Sequence, residues 1–273
     1  MKVLVTGATG SVGSHIVEQL LAKDIEVKAL SRKESNLPKG AQVVLGDLDI
    51  PETIKAHLQT IDSLFLITQS EQTDEKFIKN KRIIQMAKQA NVARIVALID
   101  FEGNPIEDVI KNSGMEWTLL KPVEFMKNAL YSGWTESIQK EGLIRTAFPD
   151  SLSARIHEAD IADVAVKALT EEGHDKRTYD LTGPEALSPR SMVKQISVVI
   201  DKYIDLVEIT EEQVKQDWKS KGYDNEFIEY FIIEMGKNPP KGAYTVLPTV
   251  EQVTGKPTRT FTQWVIENKH YFV

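Results

Sequence analysis

Three glycines constrain this chain more than any other feature. Gly7, Gly10 and Gly13 follow an apolar, β-branched run at residues 2–6 and open a helical pattern at residues 12–22. The first glycine permits the tight turn from strand to helix, the second lets the backbone come close to a ligand, and the third lets the new helix lie against the strand. Amide groups at the start of the helix lack intrahelical acceptors and carry partial positive charge, so such a loop suits a pyrophosphate. A second run at residues 26–30 closes a strand–helix–strand unit, the context in which this spacing signals a dinucleotide site. The expected cradle is Gly7, Thr9, Gly10, Ser11, Val12 and Gly13.

The same rhythm continues along the chain. Residues 41–45, 63–67, 94–98 and 116–120 read as strands and residues 77–90 as a long helix. Short runs that are apolar on both faces and separated by helices ask for a parallel sheet covered on both sides. The expected fold class is therefore α/β, a Rossmann-type doubly wound parallel sheet with a smaller C-terminal α/β lobe over the carboxyl edge. Beyond Pro122 the alternation gives way to a helix at 160–170, a strand at 177–181 and helices near 191–200, 211–219 and 225–235. One domain over residues 1–273 is expected, its core in 1–122 and its pocket elements and lobe in 123–273.

The end of the second strand selects among nicotinamide nucleotides. An NAD site places an acid there, whereas Ser31-Arg32-Lys33 offers two cations and no acid. A guanidinium grips a ribose 2′-phosphate with two charge-assisted hydrogen bonds, so NADP(H) is favoured over NAD(H). A pair of solvated cations opening a surface loop is the alternative. Asp47 and Leu48 are expected beside the adenine, with Asp47 as a turn former ahead of Pro51 the other reading. Thr68, at the end of the fourth strand, falls where the cofactor ribose should pass, or is an ordinary strand end.

Composition removes other classes. The chain has no cysteine, and its five histidines lack ligand spacing, so disulfides and thiolate chemistry are excluded and no metal is expected. A net charge of −7 without a basic run argues against direct nucleic-acid binding. No apolar run approaches the ~20 residues of a bilayer span. The opening MKVLVTGATG has neither a basic flank nor a cleavage-type site, and a cytoplasmic protein is expected.

TGATGSVG at residues 6–13, WTLLKPVEFMKN at 117–128 and HEADIADVAVKAL at 157–169 resemble the NmrA-like branch of the atypical short-chain dehydrogenase/reductases. Within that branch the chain is most similar to NADPH-dependent quinone reductases of the second type. The resemblance implies a Rossmann core, NAD(P)(H) in its cleft and a variable C-terminal lobe. It also implies that the segment holding Phe125, Met126 and Asn128 passes under the nicotinamide, with Phe125 either an apolar wall there or a plain core residue.

The wider superfamily activates a carbonyl with Tyr-x-x-x-Lys, which this chain lacks. Alignment through Ser113-Gly114 puts Asn104 and Asp108 at those positions and Asp100 where a serine would stand. Lys121, at the end of the sixth strand, is the candidate for steadying negative charge, with a snorkelling lysine as the plain alternative. Tyr131 and Trp134 are pocket linings or packing residues. His157-Glu158-Ala159-Asp160 reads as a helix N-terminus rather than a catalytic group. Trp218, Tyr223, Phe227, Tyr230 and Phe231 form either an aromatic roof or core.

Two functions follow. One is an NADPH-dependent oxidoreductase passing hydride to a quinone or a similar flat, electron-poor small molecule. The other is a non-catalytic NADP(H)-responsive sensor acting through a protein partner. A homodimer is compatible with both.

Overall fold

The computed structural model describes residues 1–34, 37–68, 74–99, 104–131 and 133–273, the side chains of Tyr131 and Phe231 excepted. Nine strands form two parallel sheets among the described residues: β1 (Lys2–Val5), β2 (Glu26–Ser31), β3 (Gln42–Leu45), β4 (Ser63–Ile67), β5 (Arg94–Leu98), β6 (Glu116–Pro122), β7 (Leu143–Thr146), β8 (Arg177–Leu181) and β9 (Asp205–Glu208). Seven of them align in the order β3-β2-β1-β4-β5-β6-β8, and every neighbouring pair is parallel.

The chain divides into two compact units. The first comprises Met1–Pro122, Glu158–Leu181 and Thr249–Lys256, and contains the seven-stranded sheet. Its central strands are apolar toward both faces, with Val3, Leu4 and Val5 of β1, Leu64 and Leu66 of β4 and Ile95, Val96 and Ala97 of β5 fully buried. Such strands cannot border solvent, so helices cover both faces. One is Gly13–Leu21, which buries Ile16, Val17 and Leu20. Another is Glu158–Thr170, almost wholly buried, which packs on Gly13–Leu21.

The second unit comprises Val123–His157, Thr182–Pro248 and Pro257–Val273. It holds the two-stranded sheet, in which β7 pairs with β9 in parallel. Its core gathers Met126, Ile138, Ile144, Ile196, Phe261, Trp264 and Phe272. Trp264 lies 5.6 Å from Phe261 and 6.3 Å from Phe272, between ring centroids.

β4, β5 and β8 take the bounds read from the sequence, while β6 runs on to Pro122. The continuous helix expected at 225–235 is instead a short turn, Asn225–Phe227, followed by a π-helix at Ile228–Glu234. A π-helix bonds residues five apart and brings them to one face. Ile228 and Ile233, which have that spacing, are both buried in the small core that also contains Val214.

Candidate functional site

The loop after β1 is built by backbone sterics. Thr6 is fully buried, and its hydroxyl accepts a hydrogen bond from the Ile67 amide at 2.8 Å, tying the carboxyl ends of β1 and β4 together. Gly7 then turns the chain at φ +61°, and its carbonyl accepts from the Gly10 amide at 2.8 Å. A Cβ on Gly13 would lie 2.2 Å from the Gly7 carbonyl oxygen, so only glycine lets the helix start there. The strand order reverses at β1, whose neighbours are β2 and β4. Ligands of doubly wound sheets bind at this switch point, outside the carboxyl ends of the strands.

The loop also fits a dinucleotide electrically. The amides of Ser11 and Val12 have no acceptor among the described residues, the first turn of the following helix holds no acid, and no side chain caps it. Thr9 and Gly10 are exposed. Uncapped N–H groups beside open backbone are what a pyrophosphate requires.

At the end of β2, Ser31 is buried, and its hydroxyl donates to the Lys33 carbonyl at 2.6 Å, folding the chain into a tight turn. Arg32 is exposed and makes no ion pair or hydrogen bond among the described residues. Lys33 is exposed beside it. Asp47 acts as a turn former: its carboxylate accepts from the Asp49 amide at 2.9 Å. Leu48 is half-buried against the core of the first unit. The Thr68 hydroxyl is committed to the Leu98 carbonyl at 2.8 Å, stitching β4 to β5.

Lys121 is not a solvated lysine. Its ammonium lies 2.7 Å from one carboxylate oxygen of Glu107, and Lys111 lies 3.0 Å from the other. Glu107 is buried, with a side chain 9% exposed. Burial pushes its carboxyl up, but the two ammonium groups outweigh burial and hold it below the ordinary carboxylate range. This clamp escapes sequence reading. The i,i+4 relation of Glu107 to Lys111 is visible in the pattern, but nothing local announces the partner on β6.

The Asn104 carboxamide accepts from the Ile106 amide at 3.0 Å in the turn that leads into the helix Ile106–Lys111, and Asp108 is exposed on that helix. Neither is placed like a phenol–ammonium pair. Asp100 lies outside the described residues. Helix Glu158–Thr170 begins where expected, and His157 before it is 2% exposed, with Nε2 3.1 Å from Glu267.

In the second unit Phe125 is half-buried and bridges to Ile156, Met126 is buried and Asn128 is exposed. Trp134 is 7% exposed in the core, a packing residue. Trp218, Tyr223 and Phe227 form an aromatic cluster with centroids 4.7–6.2 Å apart, in which Tyr223 stacks on Phe227 and meets Trp218 edge-on. The side chains of Tyr131 and Phe231 lie outside the described residues.

A parallel sheet whose switch point carries a glycine turn and uncapped helix amides defines a dinucleotide-binding Rossmann protein. Residues 7–104 match the model of an NAD(P)H-binding family. The NAD(P)H azoreductase of Xenophilus azovorans is 32% identical, with 96% of each chain covered. The (4-alkanoyl-5-oxo-2,5-dihydrofuran-3-yl)methyl phosphate reductase of Streptomyces griseus is 30% identical over 99% of each. The fold matches the NADPH-dependent quinone oxidoreductase of Escherichia coli, solved with NADPH, at a TM-score of 0.80, 23% identity and full coverage of both chains. The chain belongs to the NAD(P)H-binding, NmrA-like oxidoreductases. No helix among the described residues is long and apolar enough to cross a membrane.

Proposed function

We propose that the protein is an NADPH-dependent reductase of quinones or similarly flat, electron-poor small molecules. The observation that carries this reading is the pairing of a complete dinucleotide loop with the absence of Tyr-x-x-x-Lys. Reduction of a simple ketone creates an alkoxide and gains greatly from a positioned acid. A quinone needs less help: its hydride adduct is a stabilised hydroquinone anion, which water protonates. Alignment of donor and acceptor then supplies much of the acceleration.

Bound NADPH would supply the hydride. The backbone around Gly10–Val12 would hold its pyrophosphate, and Arg32 with Lys33 its 2′-phosphate. Arg32 supports the preference for NADPH because it stands exposed at the end of β2 without a described partner. Asp47, Leu48 and Thr68 are secondary cofactor contacts in this reading. The Thr68 hydroxyl can still accept a hydrogen bond while it donates to Leu98. Lys121 is held at the end of β6 by its ion pair with Glu107.

The test is a calorimetric titration of NADPH and NADH, followed by an absorbance assay with a panel of small quinones. Tight NADPH binding with turnover is expected. In Arg32→Ala, NADPH affinity should fall about tenfold or more, the loss of a charge-assisted contact worth ~1.5–3 kcal/mol, with NADH affinity unchanged. Tight NADPH binding without turnover on any quinone would replace this reading with the sensor.

A further inference from the structure

We infer that the second unit carries a separate binding site for an organic cation, at the carboxyl end of its two-stranded sheet. An open depression of about 430 Å³ lies there. Its lining comes from the segment after β7 (Phe148 to Leu152), from Glu208 at the end of β9, and from a stretch near residues 236–244. Because β7 and β9 run parallel, with Thr146 opposite Glu208, both segments leave the sheet at the same end.

The depression is shaped by specific residues. The Phe148 amide donates to the Thr146 hydroxyl at 3.1 Å, which fixes the backbone where the chain leaves β7. The Phe148 ring lies so close to Gly236 that a Cβ there would be 2.4 Å from Phe148 Cδ2, so glycine is required for the wall to close. Tyr244 supplies a second aromatic wall, and Ala243 beside it accepts from the Ala154 amide at 2.8 Å.

Charge sets the ligand class. Asp150 is held by Arg190 at 2.8 Å, and Lys237 is drawn to Glu211 at 2.8 Å, so each has its counter-charge. The Glu208 carboxylate is exposed and has neither an ion pair nor a hydrogen bond among the described residues; it feels Arg190 only at longer range. Aromatic walls beside an exposed carboxylate that no close ion pair engages among the described residues favour a flat or quaternary organic cation over a neutral or anionic ring.

The experiment is calorimetric titration of benzyltrimethylammonium into the full chain, compared with benzyl alcohol and benzenesulfonate. The cation should bind about tenfold or more tightly than either, a difference of ~1.4 kcal/mol or more. That preference should vanish in Glu208→Gln, persist in Glu208→Asp and weaken in Tyr244→Ala, while NADPH affinity stays at the wild-type value in all three variants. Equal affinity for the three probes, or an undiminished preference in Glu208→Gln, overturns the assignment.

Discussion

Gly13 has no room for a methyl group: the position a Cβ would take is 2.2 Å from the Gly7 carbonyl oxygen, and both atoms belong to the backbone of one turn. No side-chain rotation relieves such a clash, so Gly13→Ala should shift the start of the helix. A loss of about 1–3 kcal/mol in stability is expected, with NADPH binding reduced below detection. Chemical denaturation and calorimetry check this, and wild-type NADPH affinity in the variant would refute it. Gly10 is a milder case, since a Cβ there meets the same oxygen at 3.1 Å. These residues were legible in the sequence because their role is local sterics, which glycine alone satisfies. The role of Glu107 was not legible, because it depends on a lysine that reaches it from another element.

At the scale of elements, that clamp fixes the helix Ile106–Lys111 to β6. Glu107→Gln would leave the ammonium of Lys121, itself only 17% exposed, without its counter-charge, and should cost about 2 kcal/mol at neutral pH. The native carboxyl titrates below its unfolded value. Its contribution is therefore complete above the unfolded carboxylate range, about 4.3, and is lost as the pH falls through the lowered native value. Urea unfolding should show the full gap between wild type and Glu107→Gln at pH 7 and a smaller gap at pH 3.5, whereas a constant gap would contradict the ion pair. Strands such as β4 and β5 were readable because burial on both faces demands unbroken apolar runs. β7 and β9 were not: each has four residues, with Arg145, Asp205 and Glu208 among them, and their pairing joins distant parts of the chain.

For the whole molecule, the chain passes repeatedly between the two units. Residues 1–122 hold six strands of the large sheet, but β8, its edge strand beside β6, comes from Arg177–Leu181, and Glu158–Thr170 covers one face. The C-terminal segment is divided as well. Thr249–Thr254 packs on Glu158–Thr170 with Val250 1% exposed, while Phe261, Trp264 and Phe272 complete the core of the second unit. A chain ending at Pro248 therefore loses buried surface from both units at once. Removing three large aromatic side chains from a core withdraws about 1.5–3 kcal/mol of burial for each, comparable with the 5–15 kcal/mol that holds a typical domain folded. The truncated chain should fail to give a cooperative thermal transition and should bind NADPH no better than the unfolded protein, although every residue of the glycine loop is present. A fragment of residues 1–122 should fail in the same way. A sharp melting transition with retained NADPH binding in either product would show that the dinucleotide half folds without the segments that return to it.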